Sequence, residues 1–206
     1  MNARIAGLYA ITPDLADTEL LCRKARAALA GGATVLQYRN KSAAPALRRE
    51  QAARLQALCR DHGAPFVVND DIELAIALGA DGVHLGKDDG AARAARDRIG
   101  ASMRLGISCY DSLARADAAL AEGADHLAFG AAFPSRVKPN AVRASAALFA
   151  EARARYRAPI VAIGGITLDN APALIAAGVD AIAVISALFD APDIEQAASS
   201  FTALFS

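Results

Sequence analysis

Short apolar runs recur along the chain, each followed by a longer Ala-rich segment of helical periodicity. Four of them are Leu8-Tyr9-Ala10-Ile11, Phe66-Val67-Val68, Leu105-Gly106-Ile107 and Ile160-Val161-Ala162-Ile163. Four more alternate with these and share one entrance: Gly32-Ala33-Thr34-Val35, Gly79-Ala80-Asp81-Gly82-Val83, Gly123-Ala124-Asp125-His126-Leu127 and Gly178-Val179-Asp180-Ala181-Ile182. In each, a helix of small residues ends at Gly, the residue suited to a left-handed cap, before a short turn and the apolar run. The repeats are spaced by 47, 44 and 55 residues. That is too long for one strand–helix unit and right for two. The pattern predicts eight strands, with helices over 18–30, 45–62, 72–78, 91–99, 112–122, 144–155, 169–177 and 193–205.

Strands with almost continuous apolar character, alternating with helices, imply a parallel sheet covered by helices. Eight such units in 206 residues fit a single (βα)8 TIM barrel domain spanning 1–206, with its active site at the C-terminal strand ends. A doubly wound open sheet is the competing architecture. It is disfavoured because no Gly-x-Gly-x-x-Gly turn follows the first strand.

Composition narrows the function. Apolar residues make up 54% of the chain, and 22 basic residues balance 22 acidic ones without a long basic run. This excludes nucleic acid and an anionic membrane as the main partner. No apolar run is long enough to span a bilayer, and MNARIAGLYA lacks a signal-peptide pattern, so a cytoplasmic protein is expected. Cys22, Cys59 and Cys109 lack metal-ligand spacing and read as small core residues, with Cys109 just past a strand as the one conceivable nucleophile. His84 lies within the fourth strand as a hydrogen-bonded core residue. His62 and His126 flank turns, and the three histidines form no metal cluster.

The stretch Phe66–Asp89 carries the candidate chemistry. Its two strands end in Asn69-Asp70-Asp71 and in Gly86-Lys87-Asp88-Asp89. Parallel strands joined by one crossover point the same way, so Asp70 and Asp89 are expected to be neighbours. Two such carboxylates suit Mg2+, which completes its shell with phosphate oxygens. The second strand ends in Gln37-Tyr38-Arg39-Asn40-Lys41, where Arg39 and Lys41 can face the same side. With the magnesium and Lys138 from the loop after strand six, they would clamp a diphosphate. Salt bridges from these cations to Asp70 and Asp71 are the structural alternative. Gly164-Gly165 after strand seven and Ser186 after strand eight stand where this architecture commonly binds phosphate. One diphosphate and one monophosphate imply two phosphorylated small-molecule substrates. No general base is evident, which suits a reaction whose nucleophile has a free lone pair and whose leaving group is diphosphate.

Taken together, Gln37-x-Arg39-x-Lys41, Val68-Asn69-Asp70-Asp71, Gly82-Val83-His84-Leu85-Gly86 with Asp89, Gly106-Ile107-Ser108, Phe133-Pro134-Ser135 with Lys138, and Ile163-Gly164-Gly165-Ile166 resemble the thiamine-phosphate synthase family. The resemblance covers almost the whole chain in the family's order. It implies a transferase that joins 4-amino-2-methyl-5-pyrimidinylmethyl diphosphate to a thiazole phosphate, carboxylated or plain, through a dissociative Mg2+-dependent substitution. Asp70 and Asp89 would then bind the metal. Gln37, Arg39, Lys41 and Lys138 would hold the diphosphate and adjoining pyrimidine, flanked by Tyr38 and Asn40, with Asn69 and Ser108 on the pyrimidine. Arg39, Lys41, Lys138 and Ser108 would be the catalytic set. Ser135, Gly165, Ile185 and Ser186 would contact the thiazole phosphate. The loop Ser135-Arg136-Val137-Lys138 departs from the family's Thr-x-Thr-Lys, and Lys87 replaces its usual Gln. Val137 cannot donate a side-chain hydrogen bond, while Arg136 adds a cation.

Two other classes remain compatible with the fold: a non-catalytic barrel that binds thiazole phosphate for regulation, and a thiazole tautomerase-like relative. The joint presence of Arg39, Lys41, Asp70, Asp89 and Lys138 favours the synthase. A homo-oligomer is compatible with the sequence, but no helix identifies an interface.

Overall fold

In a computed structural model, residues 5–86, 92–134 and 143–206 are described. The expected strands are β1 (Gly7–Ile11), β2 (Val35–Tyr38), β3 (Phe66–Asn69), β4 (Gly82–Leu85), β5 (Arg104–Tyr110), β6 (His126–Gly130), β7 (Ile160–Ile163) and β8 (Ala181–Val184). They close in sequential order, every pair parallel, into an eight-stranded barrel. The protein is a (βα)8 TIM barrel.

Side-chain alternation along each strand separates two cores. Tyr9, Ile11, Val35, Val67, Ala128, Val161, Ala181 and Ala183 pack together inside the barrel. Their neighbours Leu8, Ala10, Leu36, Phe66, Val68, Leu127 and Ile182 belong to a larger cluster shared with the helices. Both faces are buried, which is why the strands read as apolar runs rather than as an alternation.

The helices are α1 (Thr18–Ala30), α2 (Pro45–Asp61), α3 (Ile72–Leu78), α4 (Ala92–Ile99), α5 (Leu113–Ala121), α6 (Ala146–Arg155), α7 (Ala171–Ala176), α8 (Ser186–Phe189) and α9 (Ile194–Thr202). Their starts are fixed by local chemistry. Asp17, Asp71, Ser112, Ser145 and Asp193 each accept from a backbone N–H in the first turn of the helix they precede. Each such cap is worth about 1 kcal/mol. In α1, Leu21, Cys22, Ala25, Ala28 and Leu29 form one buried face. The one-turn α8 was not expected from the sequence, because four residues hold too little periodicity to register.

The repeated entrance has a physical cause. Asp81 donates its N–H to the Phe66 carbonyl and accepts the Phe66 N–H on its carboxylate at 2.9 Å. Asp125 does the same with Leu105, at 2.7 Å, and Asp180 with Ile160, at 2.8 Å. Each acid thus closes both hydrogen bonds with one residue at or beside the start of the preceding odd-numbered strand. Thr34 is the variant member: its N–H and its hydroxyl both donate to the Leu8 carbonyl. Gly79, at φ +60°, supplies the left-handed cap that lets the chain turn from α3 into this arrangement.

These clamps lie at the end of the barrel opposite the strand C-termini. Asp180→Ala removes the bond to the Ile160 N–H and the 2.8 Å ion pair with Arg153. It is expected to lower unfolding stability by about 1–3 kcal/mol in urea titrations, with turnover at 25 °C unchanged.

Candidate active site

At the C-terminal end of the barrel, β1 continues as Thr12-Pro13-Asp14 and β2 as Arg39-Asn40-Lys41. The buried Thr12 hydroxyl accepts from the Arg39 N–H at 2.9 Å and lies 3.0 Å from the Arg39 carbonyl, to which it donates. This prolongs the β1–β2 ladder by one residue and fixes where the Arg39 side chain leaves the barrel. Asp14 then accepts from the Arg39 guanidinium at 3.0 Å and from the Lys41 backbone N–H at 3.2 Å. On the other side, the Lys41 ammonium lies 3.3 Å from an Asp70 carboxylate oxygen. The two cations of β2 are therefore flanked by an acid from each neighbouring strand. The Arg39–Asp14 pair was not anticipated: Asp14 stood at a strand end, but nothing in its spacing assigned it a partner.

Asp70 reaches this position through an unusual backbone. Its φ is +64°, a left-handed conformation that Asp tolerates better than most residues. Its N–H donates to the His84 carbonyl at 2.9 Å, holding the turn against β4. Strained backbone at a strand end is a common property of functional sites. Asp71 serves differently, capping α3 and pairing with Arg48 at 3.4 Å. A cleft of about 350 Å3 opens on this outer flank, lined by Arg48, Asp70, Asp71, Ile72, Glu73 and Arg98. It shares Asp70 with the barrel mouth, whereas Gln37, Asn69 and Ser108 take no part in its walls.

Polar residues face the barrel axis. The Gln37 side-chain amide donates to Asn69 Oδ1 at 2.7 Å. Ser108 Oγ lies 3.0 Å from His84 Nε2. A β-bulge follows Ser108, ending in Tyr110 at φ +56°. Such bulges re-aim a side chain near a site. Here Cys109 packs fully buried among the sheet–helix core residues, where burial pushes its thiol up to about 12. That is the state of a structural cysteine, not of a nucleophile.

Tyr38 and Asn40 line a small cavity together with Lys41, Asn69 and Asp70. Tyr38 belongs to the sheet–helix core and its hydroxyl bonds Gln51 at 2.9 Å. Asn40 donates to Gln51 at 3.0 Å and to the Leu15 carbonyl at 2.8 Å. This buried network fastens the ends of β1 and β2 to α2 and so supports the rim. The parity of the strand explains it, since Tyr38 lies one residue out of phase with Gln37 and Arg39.

Gly164-Gly165 admits a close approach, but of the protein's own chain. A Cβ on Gly165 would stand 2.5 Å from the Pro134 carbonyl oxygen, and one on Gly164 would stand 2.7 Å from Ala131 Cβ. The pair seats the start of the loop after β6, with the Phe133 N–H donating to the Gly164 carbonyl at 3.0 Å. Ile185 precedes α8 and Ser186 opens it. A short extra helix directly after β8 is a recurrent phosphate-binding element of this architecture. Asp89, Ser135, Arg136, Val137 and Lys138, with Lys87, lie outside the described residues.

The comparisons decide the family. Residues 8–188 match the family model described as thiamine monophosphate synthase. The chain belongs to this family. It is 57% identical over 205 residues to the thiamine-phosphate synthase of Chromobacterium violaceum, covering 100% of this chain and 99% of that one. It is 52% identical to that of Azoarcus sp. over the full length of both. Among solved structures, the thiamine phosphate pyrophosphorylase of Pyrococcus furiosus superimposes with a TM-score of 0.87 at 36% identity, covering 98% of this chain and 95% of that one. As a member of the thiamine monophosphate synthase family, the protein is a transferase of thiamine biosynthesis. Among the described residues, no helix is long and apolar enough to cross a membrane.

His126 flanks the turn before β6, as expected, and opens that strand, buried inside the barrel with 1% of its surface exposed. Burial holds its imidazole down at about 3, helped by His84 and Arg104. Its folded pKa therefore lies below the unfolded value near 6.5. The neutral-ring contribution to stability is fully present above pH 6.5 and is lost as pH falls toward 3. His126→Leu lacks this proton linkage. Its stability relative to wild type is expected to improve between pH 7.5 and pH 5 in urea titrations, and a pH-independent difference would contradict the assignment.

Proposed function

We propose that the barrel mouth joins 4-amino-2-methyl-5-pyrimidinylmethyl diphosphate to a thiazole phosphate, releasing diphosphate and forming thiamine phosphate. The observation that carries this reading is the placement of Arg39 and Lys41, two residues apart, between Asp14 and Asp70 at the strand ends. A monophosphate-binding or tautomerising barrel has no use for a second anion site of this kind.

The energetics suit a site that must exchange partners. The Lys41 side chain is 58% exposed and that of Asp70 26%. An ion pair of such exposure is worth about 0–1 kcal/mol. A diphosphate draws Lys41 away at little cost, then receives charge-assisted hydrogen bonds worth more. Arg39, at 25% side-chain exposure, is more firmly seated and offers a planar fork to phosphate oxygens.

The chemistry follows from this charge distribution. The bond from the pyrimidinyl methylene carbon to diphosphate oxygen breaks with its electron pair leaving on oxygen. Arg39 and Lys41, with Lys138, stabilise that developing charge. The thiazole nitrogen lone pair then captures the pyrimidinylmethyl cation, so no side chain need remove a proton from the nucleophile. Gln37, Asn69 and Ser108 orient the pyrimidine, while the β7 and β8 ends, through Gly165, Ile185 and Ser186, hold the thiazole phosphate. Ser135 would contact the same phosphate.

Asp70, together with Asp89, would hold Mg2+. Asp70 presents a hard carboxylate oxygen donor beside the cations, and Mg2+ takes one or two carboxylates together with substrate phosphate oxygens. Such an ion, when bound, offsets charge on the diphosphate oxygens.

Incubation with both substrates and Mg2+ is expected to release diphosphate and form thiamine phosphate, with EDTA suppressing turnover. Lys41→Ala is expected to lower kcat/KM by about ten- to a hundredfold, the loss of one charged hydrogen bond, with the circular dichroism spectrum unchanged. No diphosphate release with active controls would overturn the reading.

A further inference from the structure

Three residues stand side by side on the inner face of the barrel. His84 of β4 is in register with Gly106 of β5, and Gly106 with His126 of β6. Gly106 leaves a slot between the two imidazoles. A Cβ there would lie 2.2 Å from His126 Nε2, 2.3 Å from His126 Cε1 and 2.5 Å from His84 Nδ1. Both rings thus occupy the space that a side chain at 106 would need. Their centroids are 5.6 Å apart with the planes inclined at 35°. The far nitrogen of His84, Nε2, is the one 3.0 Å from Ser108 Oγ.

His126 is costly where it stands. Among the described residues, neither of its ring nitrogens has a hydrogen-bond partner, although both are buried. The Tyr9 hydroxyl, on a ring centred 6.3 Å away, is buried and unpartnered as well. Each unmade bond of this kind destabilises the fold.

We propose that His126 is a positioning residue: packed over Gly106, it holds the His84 imidazole in the orientation that bonds Ser108. With His126 in place, the His84 ring cannot swing into the slot over β5. Its Nε2 stays on Ser108, and the Ser108 hydroxyl keeps a fixed direction. His126 is neutral at physiological pH, so it acts by shape rather than by charge. The catalytic consequence rests on Ser108 contacting the pyrimidine, as proposed above.

Two measurements separate this inference from that reading. In protein labelled with 15N-histidine, long-range 1H–15N correlation reports the tautomer and hydrogen bonding of His84 without any substrate. Wild type and His126→Phe are expected to show one His84 tautomer, and His126→Ala a shifted or averaged signal. In turnover, His126→Ala is expected to lower kcat about three- to tenfold, as for one weakened hydrogen bond, with KM for the thiazole phosphate within twofold and His126→Phe restoring most of the loss. In a Ser108→Ala background, His126→Ala is expected to add no further loss. Multiplicative losses, or a His84 signal indifferent to His126→Ala, would overturn the proposal. If Ser108→Ala alone leaves kcat unchanged, the pyrimidine contact is wrong, and the His84 spectrum still decides the positioning role. Should His126→Ala fail to fold, His126→Leu is read by the same spectrum and assay.

Discussion

An arginine and a lysine on the end of β2 lean in opposite directions, Arg39 onto Asp14 of β1 and Lys41 toward Asp70 of β3. Two cations so close would repel, and the acids on either side remove that penalty before any ligand arrives. Everything else at the mouth serves this arrangement. Thr12 fixes the Arg39 backbone, Asp14 holds both the guanidinium and the Lys41 N–H, and the left-handed turn at Asp70 brings its carboxylate within reach of Lys41. Behind them, Gln51 ties Tyr38, Asn40 and the β1–α1 connection to α2. The exposed ion pairs are weak, whereas the buried amide network beneath them is not exchangeable. A rigid support under a loosely held charge pair is what capture of a polyanion requires.

The barrel separates two tasks by its two ends. Clamps of Asp81, Asp125 and Asp180 bind the strand entrances and recur with the double strand–helix unit, so they are structural. Residues at the strand exits do not recur. Asp70, Ser108 and Ser186 are each particular to one strand end, as a site assembled from several strands demands. Between these layers lies the interior histidine pair, where Gly106 makes room for two rings and the polar atoms of His126 find no partner. It is the one place among the described residues of the interior where packing economy is given up next to a residue of the mouth.

Much of this was legible in the sequence. The eight strands and most helices were fixed by apolar runs and caps, and the repeated Gly-Ala-Asp entrance pointed to paired units before its hydrogen bonds were seen. The Lys41–Asp70 ion pair is the contact that the sequence offered as the structural alternative to a clamp on diphosphate. What escaped depends on partners distant in sequence. Arg39 selects Asp14 because Thr12 lengthens the β1–β2 ladder. Tyr38 turns outward because strand phase opposes it to Gln37. Gly164-Gly165 accommodates the chain at 131–134, a contact no local motif encodes.

On the proposed reading, the strand-end cations and acids form one diphosphate site with magnesium. Calorimetric titration of inorganic diphosphate into the protein, with and without Mg2+, tests it without invoking turnover. Saturable binding is expected that strengthens at least tenfold with Mg2+ and loses that gain in Asp70→Asn. Binding that is indifferent both to Mg2+ and to Asp70 would contradict it.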